Sequence, residues 1–317
     1  MIPLLPLALF GLDISWDATL RNVILGSVIL GMTSGMVGAF AVLRRQSLIG
    51  DALAHAALPG ICIAFLVTGT RSTEVLLIGG ALSGLLGTAV LLVINRWSLV
   101  SMETALGVVL SVFFGFGILL LTRIQHGGDA AQSGLDRFIF GQAATILPRD
   151  VTVMLVVAVI VLGVLAACFK ELKVLTFDPL FAASIGVSPS LVGGLLSALL
   201  VLTIMIGLQT VGVILMVSLL IAPAVAARQW TSSLAGMVLL SGCFGLLAGV
   251  SGSVASSLID RLPTGPMIVI AATLIVAISL LFAPERGVLS TWRSRRTRAE
   301  QFKVMLAAAD HHGVSTR

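Results

Sequence analysis

The chain has 317 residues, of which 58% are hydrophobic and only 10% charged, with a net charge of +5 and a mean hydropathy of +1.12. Soluble domains carry roughly 25% charged residues, so a water-facing globular fold is excluded. A lipid-exposed barrel is excluded as well, because its strands alternate apolar and polar residues over ~10 positions and these runs are apolar on every face for about twice that length.

Lipid offers the backbone no hydrogen-bond partner, so each apolar run of about 20 residues is read as a membrane-spanning helix. The N-terminal MIPLLPLALF is apolar but short and has no basic region ahead of it, and is not read as a cleaved signal peptide. Spans are predicted over residues 22–43, 48–68, 74–95, 103–122, 151–169, 190–206, 209–227, 234–254 and 266–283. The sixth and seventh are short and tightly joined, so they form either two spans or one broken span. The fold class is therefore an all-α polytopic transmembrane bundle of about nine spans, with eight as the alternative count.

Basic residues set the orientation. Arg44, Arg45, Arg96, Lys170, Lys173, Arg228, Arg286 and the tail residues Arg293, Arg295, Arg296, Arg298, Lys303 and Arg317 fall on one side; Arg21, Arg71, Arg123, Arg137, Arg149 and Arg261 fall opposite. The richer side is cytoplasmic, which places the N-terminus outside and the C-terminus inside and requires an odd number of spans. This sorting also makes the net positive charge a topology signal and not a nucleic-acid footprint. Residues 1–287 form the transmembrane domain and residues 288–317 a basic cytoplasmic tail, with a weak helical stretch at RAEQFKVMLAAAD.

Two connections are long. Residues 123–150 lie outside and include LDRFIFGQ, an interfacial or re-entrant segment; residues 170–189 lie inside and read KELKVLTFDPLFAASIGVSP. The spacings Gly31/Gly35, Gly80/Gly84 and Gly245/Gly249 allow close helix approach. Cys62, Cys168 and Cys243 each sit in an apolar run without a CxxC pair and are read as small hydrophobes.

The candidates for chemistry begin with GDALAHAALPG at residues 50–60. Asp51 and His55 are four apart and share one helix face. Ionisable residues inside a span are costly and commonly line a path. One oxygen and one nitrogen ligand suit Mn²⁺, Zn²⁺ or Fe²⁺, and Pro59 frees a backbone carbonyl. The alternative reading is an acid near the helix start hydrogen-bonded to a neighbouring imidazole. Glu103 has two readings as well, a third metal ligand or a favourable acid in a first helical turn capped by Ser101. His126, His311 and His312 lie outside the spans. The stretch FDPLFAASIG is a short helix able to dock on a cytoplasmic partner, or else an ordinary loop. The chain has no GxxxxGK[ST] and no HExxH, so by this criterion it carries no nucleotide site of its own. Ser251 in GVSG could serve as an intramembrane protease nucleophile only if a histidine faced it.

GDALAHAALPG resembles the signature of the metal-ion permeases of ATP-binding-cassette importers, the ABC-3 family. LRRQSLIGDALAHA, METALGVVLS, FGQAATI, FDPLFAASIG, VGVILMVSLLIAPAVAAR and LPTGPMIVIAATLIVAISLLFAPERG resemble family blocks in the same order, over roughly residues 20–290. The resemblance implies a fold like that of the vitamin B12-type importer permeases and an assembly of two permeases, identical or paired as a heterodimer, with a cytoplasmic ATPase dimer and an external metal-binding protein. It implies that the chain is a transport subunit and not itself an enzyme, set in a bacterial cytoplasmic membrane, that its metal is cargo and not a bound cofactor, and that Asp51 and His55, with Glu103 less directly, belong to the path. It implies that Phe177, Asp178, Pro179, Ala182, Ala183 and Gly186 form the helix that couples to the ATPase. The family blocks do not name the metal, and the short tail departs from relatives that carry a winged-helix-like extension. The rival functions are a permease for a siderophore or cobalamin, an ion-coupled secondary transporter, and the intramembrane serine protease.

Overall fold

The structure is a computed structural model that describes residues 18–70, 72–126, 146–258, 262–284 and 287. The predicted LDRFIFGQ segment and the basic tail lie outside the described residues, as does most of FGQAATI. Among the described residues the regular elements are all helices: α1 (Ala18–Leu43), α2 (Ser47–Thr68), α3 (Thr73–Trp97), α4 (Met102–Gln125), α5 (Pro148–Ala167), α6 (Phe169–Phe177), α7 (Pro179–Ser184), α8 (Pro189–Thr210), α9 (Val213–Trp230), α10 (Leu234–Leu258) and α11 (Thr264–Phe282). Eight are long and apolar enough to cross a bilayer, namely α1 to α5, α8, α10 and α11. The ninth, α9, has 18 residues, or about 27 Å at 1.5 Å per residue, close to the hydrocarbon thickness.

The stretch left open between two spans and one broken span folds as two helices. Val211 and Gly212 join them, and Gly212 takes φ +83° and ψ 169°, a backbone region that essentially only glycine occupies. α9 then returns to the end where α1 stops, since Arg228, Leu43 and Phe177 border one small cavity of about 140 Å³. The succession of helices therefore gathers Arg44, Arg45, Arg96, Lys170, Lys173 and Arg228 at one end and Arg21, Arg123 and Arg149 at the other.

α1 is the central helix, packed on α5, α8, α9 and α10. Its closest partner is α10, because glycines face each other across the crossing. A Cβ at Gly31 would overlap the Gly245 carbonyl, a Cβ at Gly245 would overlap that of Gly31, and one at Gly35 would overlap that of Ser241. The Ser241 hydroxyl donates to the Gly35 carbonyl at 2.6 Å, and Ser253 donates to Ser27 at 2.9 Å. Gly80 and Gly84 serve a different pair: they admit Met205 and Val201 of α8 against α3. The outward faces of α3, α4, α5 and α11 expose Leu82, Leu119, Val159 and Leu274, as faces turned toward acyl chains should. Away from the basic end, Arg149 Nε meets Glu74 Oε1 at 2.7 Å, and the buried Asp150 accepts from Thr73 Oγ1 at 3.0 Å and from the Leu147 amide at 3.1 Å. These contacts tie the start of α5 to the start of α3.

Candidate metal path and coupling segment

α2 is encased by α3, α4, α8 and α9. From Ile49 to Cys62 every residue is buried except Asp51 and His55, one turn apart. The small side chains of GDALAHAALPG produce this enclosure: Gly60 lies where any Cβ would strike the Gly79 carbonyl of α3, and Ser83 of α3 donates to the Ala56 carbonyl at 2.6 Å. Between Ile49 and Cys62 the helix thus opens along one line, and that line carries its acid and its imidazole.

Asp51 Oδ1 stands 3.5 Å from His55 Nε2, with side chains 39% and 18% exposed. That separation is longer than the 2.7–3.2 Å of a normal N–H···O bond, so the pair is not satisfied by its own hydrogen bond. Nδ1 of His55 is buried without a hydrogen-bond partner. Phe114 of α4 packs edge-on against the imidazole, with ring centroids 4.6 Å apart. Four residues on, Pro59 has no N–H to give the His55 carbonyl, which loses its usual helical donor. A carboxylate and an imidazole therefore face each other one turn apart, and the carbonyl of the same histidine lacks its helical donor. Two ligands about 2.1 Å from a shared ion at a tetrahedral angle stand about 3.4 Å apart, and the observed spacing matches. One carboxylate oxygen and one imidazole nitrogen are donors of the kind that Mn²⁺, Fe²⁺ or Zn²⁺ accept.

Glu103 lies exposed in the first turn of α4, where Ser101 caps the helix by accepting from the Thr104 amide at 3.3 Å. Among the described residues no three His, Cys, Asp or Glu side chains cluster as a metal site. One chain brings Asp51 and His55 together and does not bring Glu103 to complete them.

At the basic end, α6 and α7 replace a plain loop. Asp178 caps α7, its Oδ1 accepting from the Phe181 amide at 2.9 Å, and Pro179 occupies the first helical position. Gly186, at φ +85°, closes the helix: its amide donates to the Ala183 carbonyl and that of Val187 to the Ala182 carbonyl. Ala182 is buried and Ala183 exposed, whereas Leu180 is 84% and Phe181 53% exposed, with Phe177 and Ile185 also outward. Of these outward apolar residues the sequence reading singled out Phe177 but not Leu180, Phe181 or Ile185. The signal was present in the helical spacing of Phe177, Leu180, Phe181 and Ile185.

The model of the ABC 3 transport family matches residues 17–283. The chain belongs to that family. It is 55% identical to the zinc transport system membrane protein TroC of Treponema pallidum, over 88% of this chain and 94% of that protein. It is 45% identical to the manganese transport system membrane protein MntC of Bacillus subtilis, over 92% of this chain and 67% of the relative. The solved structure of PsaBC from Streptococcus pneumoniae in complex with Fab superposes with a TM-score of 0.78 at 31% identity, covering 90% of this chain and 99% of that one. Within this ABC 3 chain the remaining candidates have ordinary partners. Ser251 donates to its own helix at the Leu247 carbonyl, 2.6 Å away, and His126 meets the Thr122 carbonyl at the end of α4. Cys62 is buried facing the Gly117 carbonyl, Cys168 is half-buried and Cys243 faces outward.

Proposed function

We propose that this chain is the membrane-spanning permease subunit of an ATP-binding-cassette importer for a divalent transition metal, manganese or zinc foremost and iron by the same ligand chemistry. The observation that carries the reading is the opening within the buried stretch of residues 49–62 in α2, lined by Asp51 and by a His55 with an unpartnered nitrogen. The named zinc and manganese transport relatives support it.

In this reading the chain lies in a bacterial cytoplasmic membrane with its N-terminus outside. Residues 1–287 form the permease domain and residues 288–317 a cytoplasmic tail. An external binding protein delivers the ion to the outer end. The Asp51 carboxylate and His55 imidazole replace part of its hydration shell, and the His55 carbonyl freed by Pro59 supplies a further oxygen. Two side-chain ligands fall short of the three or four of a typical zinc site. A second permease, identical or different, completes the path by facing its own pair across the interface, and Glu103 supplies acidic charge toward the basic end. An ATPase dimer docks on the apolar face of Phe177, Leu180, Phe181 and Ile185, with Asp178, Pro179, Ala182, Ala183 and Gly186 holding α7 in shape. Nucleotide binding and hydrolysis there move α6 and α7 and switch the side to which the path opens.

The test is uptake of Mn²⁺, Zn²⁺ and Fe²⁺ by the whole complex in vesicles. Asp51→Ala and His55→Ala are each expected to lower uptake by at least tenfold, since even outer-shell losses cost ~10–100-fold in metal affinity. Uptake left intact by both changes overturns the assignment. Uptake of a metal chelate in place of the free ion points to the siderophore or cobalamin class, and transport that persists without any ATPase points to an ion-coupled carrier.

A further inference from the structure

A second polar feature lies at the same end of the bundle as α7 and takes no part in the path described above. The turn between α1 and α2, the end of α3 and the start of α8 enclose a cleft of about 730 Å³. Arg44 and Arg96 line it, with Gln46 and Ser190 beside them and no Asp or Glu. Neither guanidinium has an ion pair or a hydrogen bond among the described residues. Arg44 is half-buried, and its guanidinium lies against the first turns of α8: a Cβ added at Gly193 would sit 3.7 Å from Arg44 Nη1. The N-terminal end of a helix dipole is positive. The fold therefore holds a guanidinium, a second arginine and a positive helix end around one space with no counter-charge. Burial accordingly pushes the Arg44 guanidinium below its ordinary value, as expected where nothing offsets lost hydration.

The rest of the cleft says which anion suits it. Its wall includes Leu91, Leu92 and Val93, and the last two continue onto the exposed outward face of α3. Trp97, 85% exposed, stands at the end of that helix, the position where tryptophan marks the headgroup level of a membrane. A soluble anion would meet the arginines and leave the apolar wall idle. A molecule with a phosphate and acyl chains meets both.

We infer that this cleft binds the headgroup phosphate of an anionic phospholipid, drawn from the leaflet at the coupling end, with Arg44 and Arg96 on the phosphate and acyl chain along Leu92 and Val93. Lipid bound there would bridge α1, α3 and α8, the last of which follows directly from α7.

Native mass spectrometry of the purified full chain, with phosphatidylglycerol or phosphatidylcholine added, tests this. Phosphatidylglycerol is expected to be retained on the order of tenfold better than phosphatidylcholine. The double variant R44Q/R96Q is expected to erase the difference and K173Q, a change to an exposed lysine at the same end, to leave it. Should the double variant fail to fold, R96E alone, at an exposed position, is expected to lower phosphatidylglycerol retention below that of wild type. Equal retention of the two lipids overturns the inference. So does retention of phosphatidylglycerol that is unchanged in R44Q/R96Q or R96E, or that falls as far in K173Q. Displacement of the lipid by excess inorganic phosphate, with the same arginine dependence, assigns the cleft to a soluble anion instead. Loss of ATPase co-purification in the arginine variants, with lipid retention unchanged, assigns it to an acidic segment of the ATPase.

Discussion

His55 sits where three features of one short sequence meet. Asp51 precedes it by one turn, Pro59 follows it by one turn, and the small residues between them let α3 and α4 close around the helix. The proline is the least obvious of the three. A proline inside a helix costs about 3 kcal/mol relative to alanine, and this one is buried in the bundle. Pro59→Ala is therefore expected to raise the thermal stability of the purified chain while lowering metal uptake severalfold, because the restored N–H competes for the His55 carbonyl. Uptake at the wild-type rate in a stabilised P59A protein would show that the carbonyl takes no part in the path. Asp51 is expected to matter for charge as well as for shape, and comparing uptake by Asp51→Asn with that by Asp51→Ala separates the two.

At the scale of elements, one crossing depends on the absence of a side chain and one short helix on its caps. The crossing of α1 and α10 places Gly31 and Gly245 backbone to backbone, an approach that a left-out Cβ permits and that serine hydroxyls then fasten. Gly245→Val is expected to cost at least the 1–3 kcal/mol of ordinary overpacking, because the group that must yield is backbone and not a flexible side chain; thermal unfolding in detergent measures it. The other element is α7. Its capping by Asp178 and Gly186 makes a six-residue helix hold one shape, and that shape turns Leu180 and Phe181 outward. Leu180→Asp with Phe181→Asp is expected to abolish co-purification of the ATPase while leaving the unfolding temperature of the isolated chain nearly unchanged, since both side chains are already exposed. Retained assembly would place the docking face elsewhere.

At the less basic end of the bundle two side-chain contacts tie α3 to α5, and they differ in weight. Arg149 is 78% exposed in its pair with Glu74, so solvent screens the pair and Arg149→Ala is expected to cost under ~1 kcal/mol. Asp150 is buried and accepts from both Thr73 and the Leu147 amide. Asp150→Ala leaves donors without their acceptor and is expected to cost about 1–3 kcal/mol. Unfolding measurements on the two single variants should rank them in that order; a larger effect from Arg149 would mean that the surface pair carries the tie. The same end of the molecule faces the proposed binding protein, so the tie also keeps the outer ends of two outward-facing helices from separating.

Hydropathy alone determined that this chain is a helix bundle, because unpaired backbone in lipid leaves a long apolar segment one solution. It placed nearly every membrane helix within a few residues, and among the described residues the basic side chains assigned to one side, Arg44, Arg45, Arg96, Lys170, Lys173 and Arg228, lie at one end of the bundle. The pairing of Asp51 with His55 was legible too, since a four-residue spacing fixes a shared face whatever surrounds the helix. What surrounds it was not. That residues 49–62 are sealed except along that line, that Nδ1 of His55 has no partner and that Phe114 packs on its ring depend on α3, α4, α8 and α9, whose packing no local pattern states. The choice between one broken span and two helices at Gly212 rested on a backbone angle that composition does not record. Gly80 and Gly84 looked like the other glycine pairs, yet they receive side chains of α8, whereas Gly31 and Gly245 meet backbone. Arg44 and Arg96 read only as topology anchors until the fold set them around one cleft with the start of α8. Local pattern states which groups a helix offers on each face; only tertiary packing decides which of those faces is left open and what charge is left without a partner.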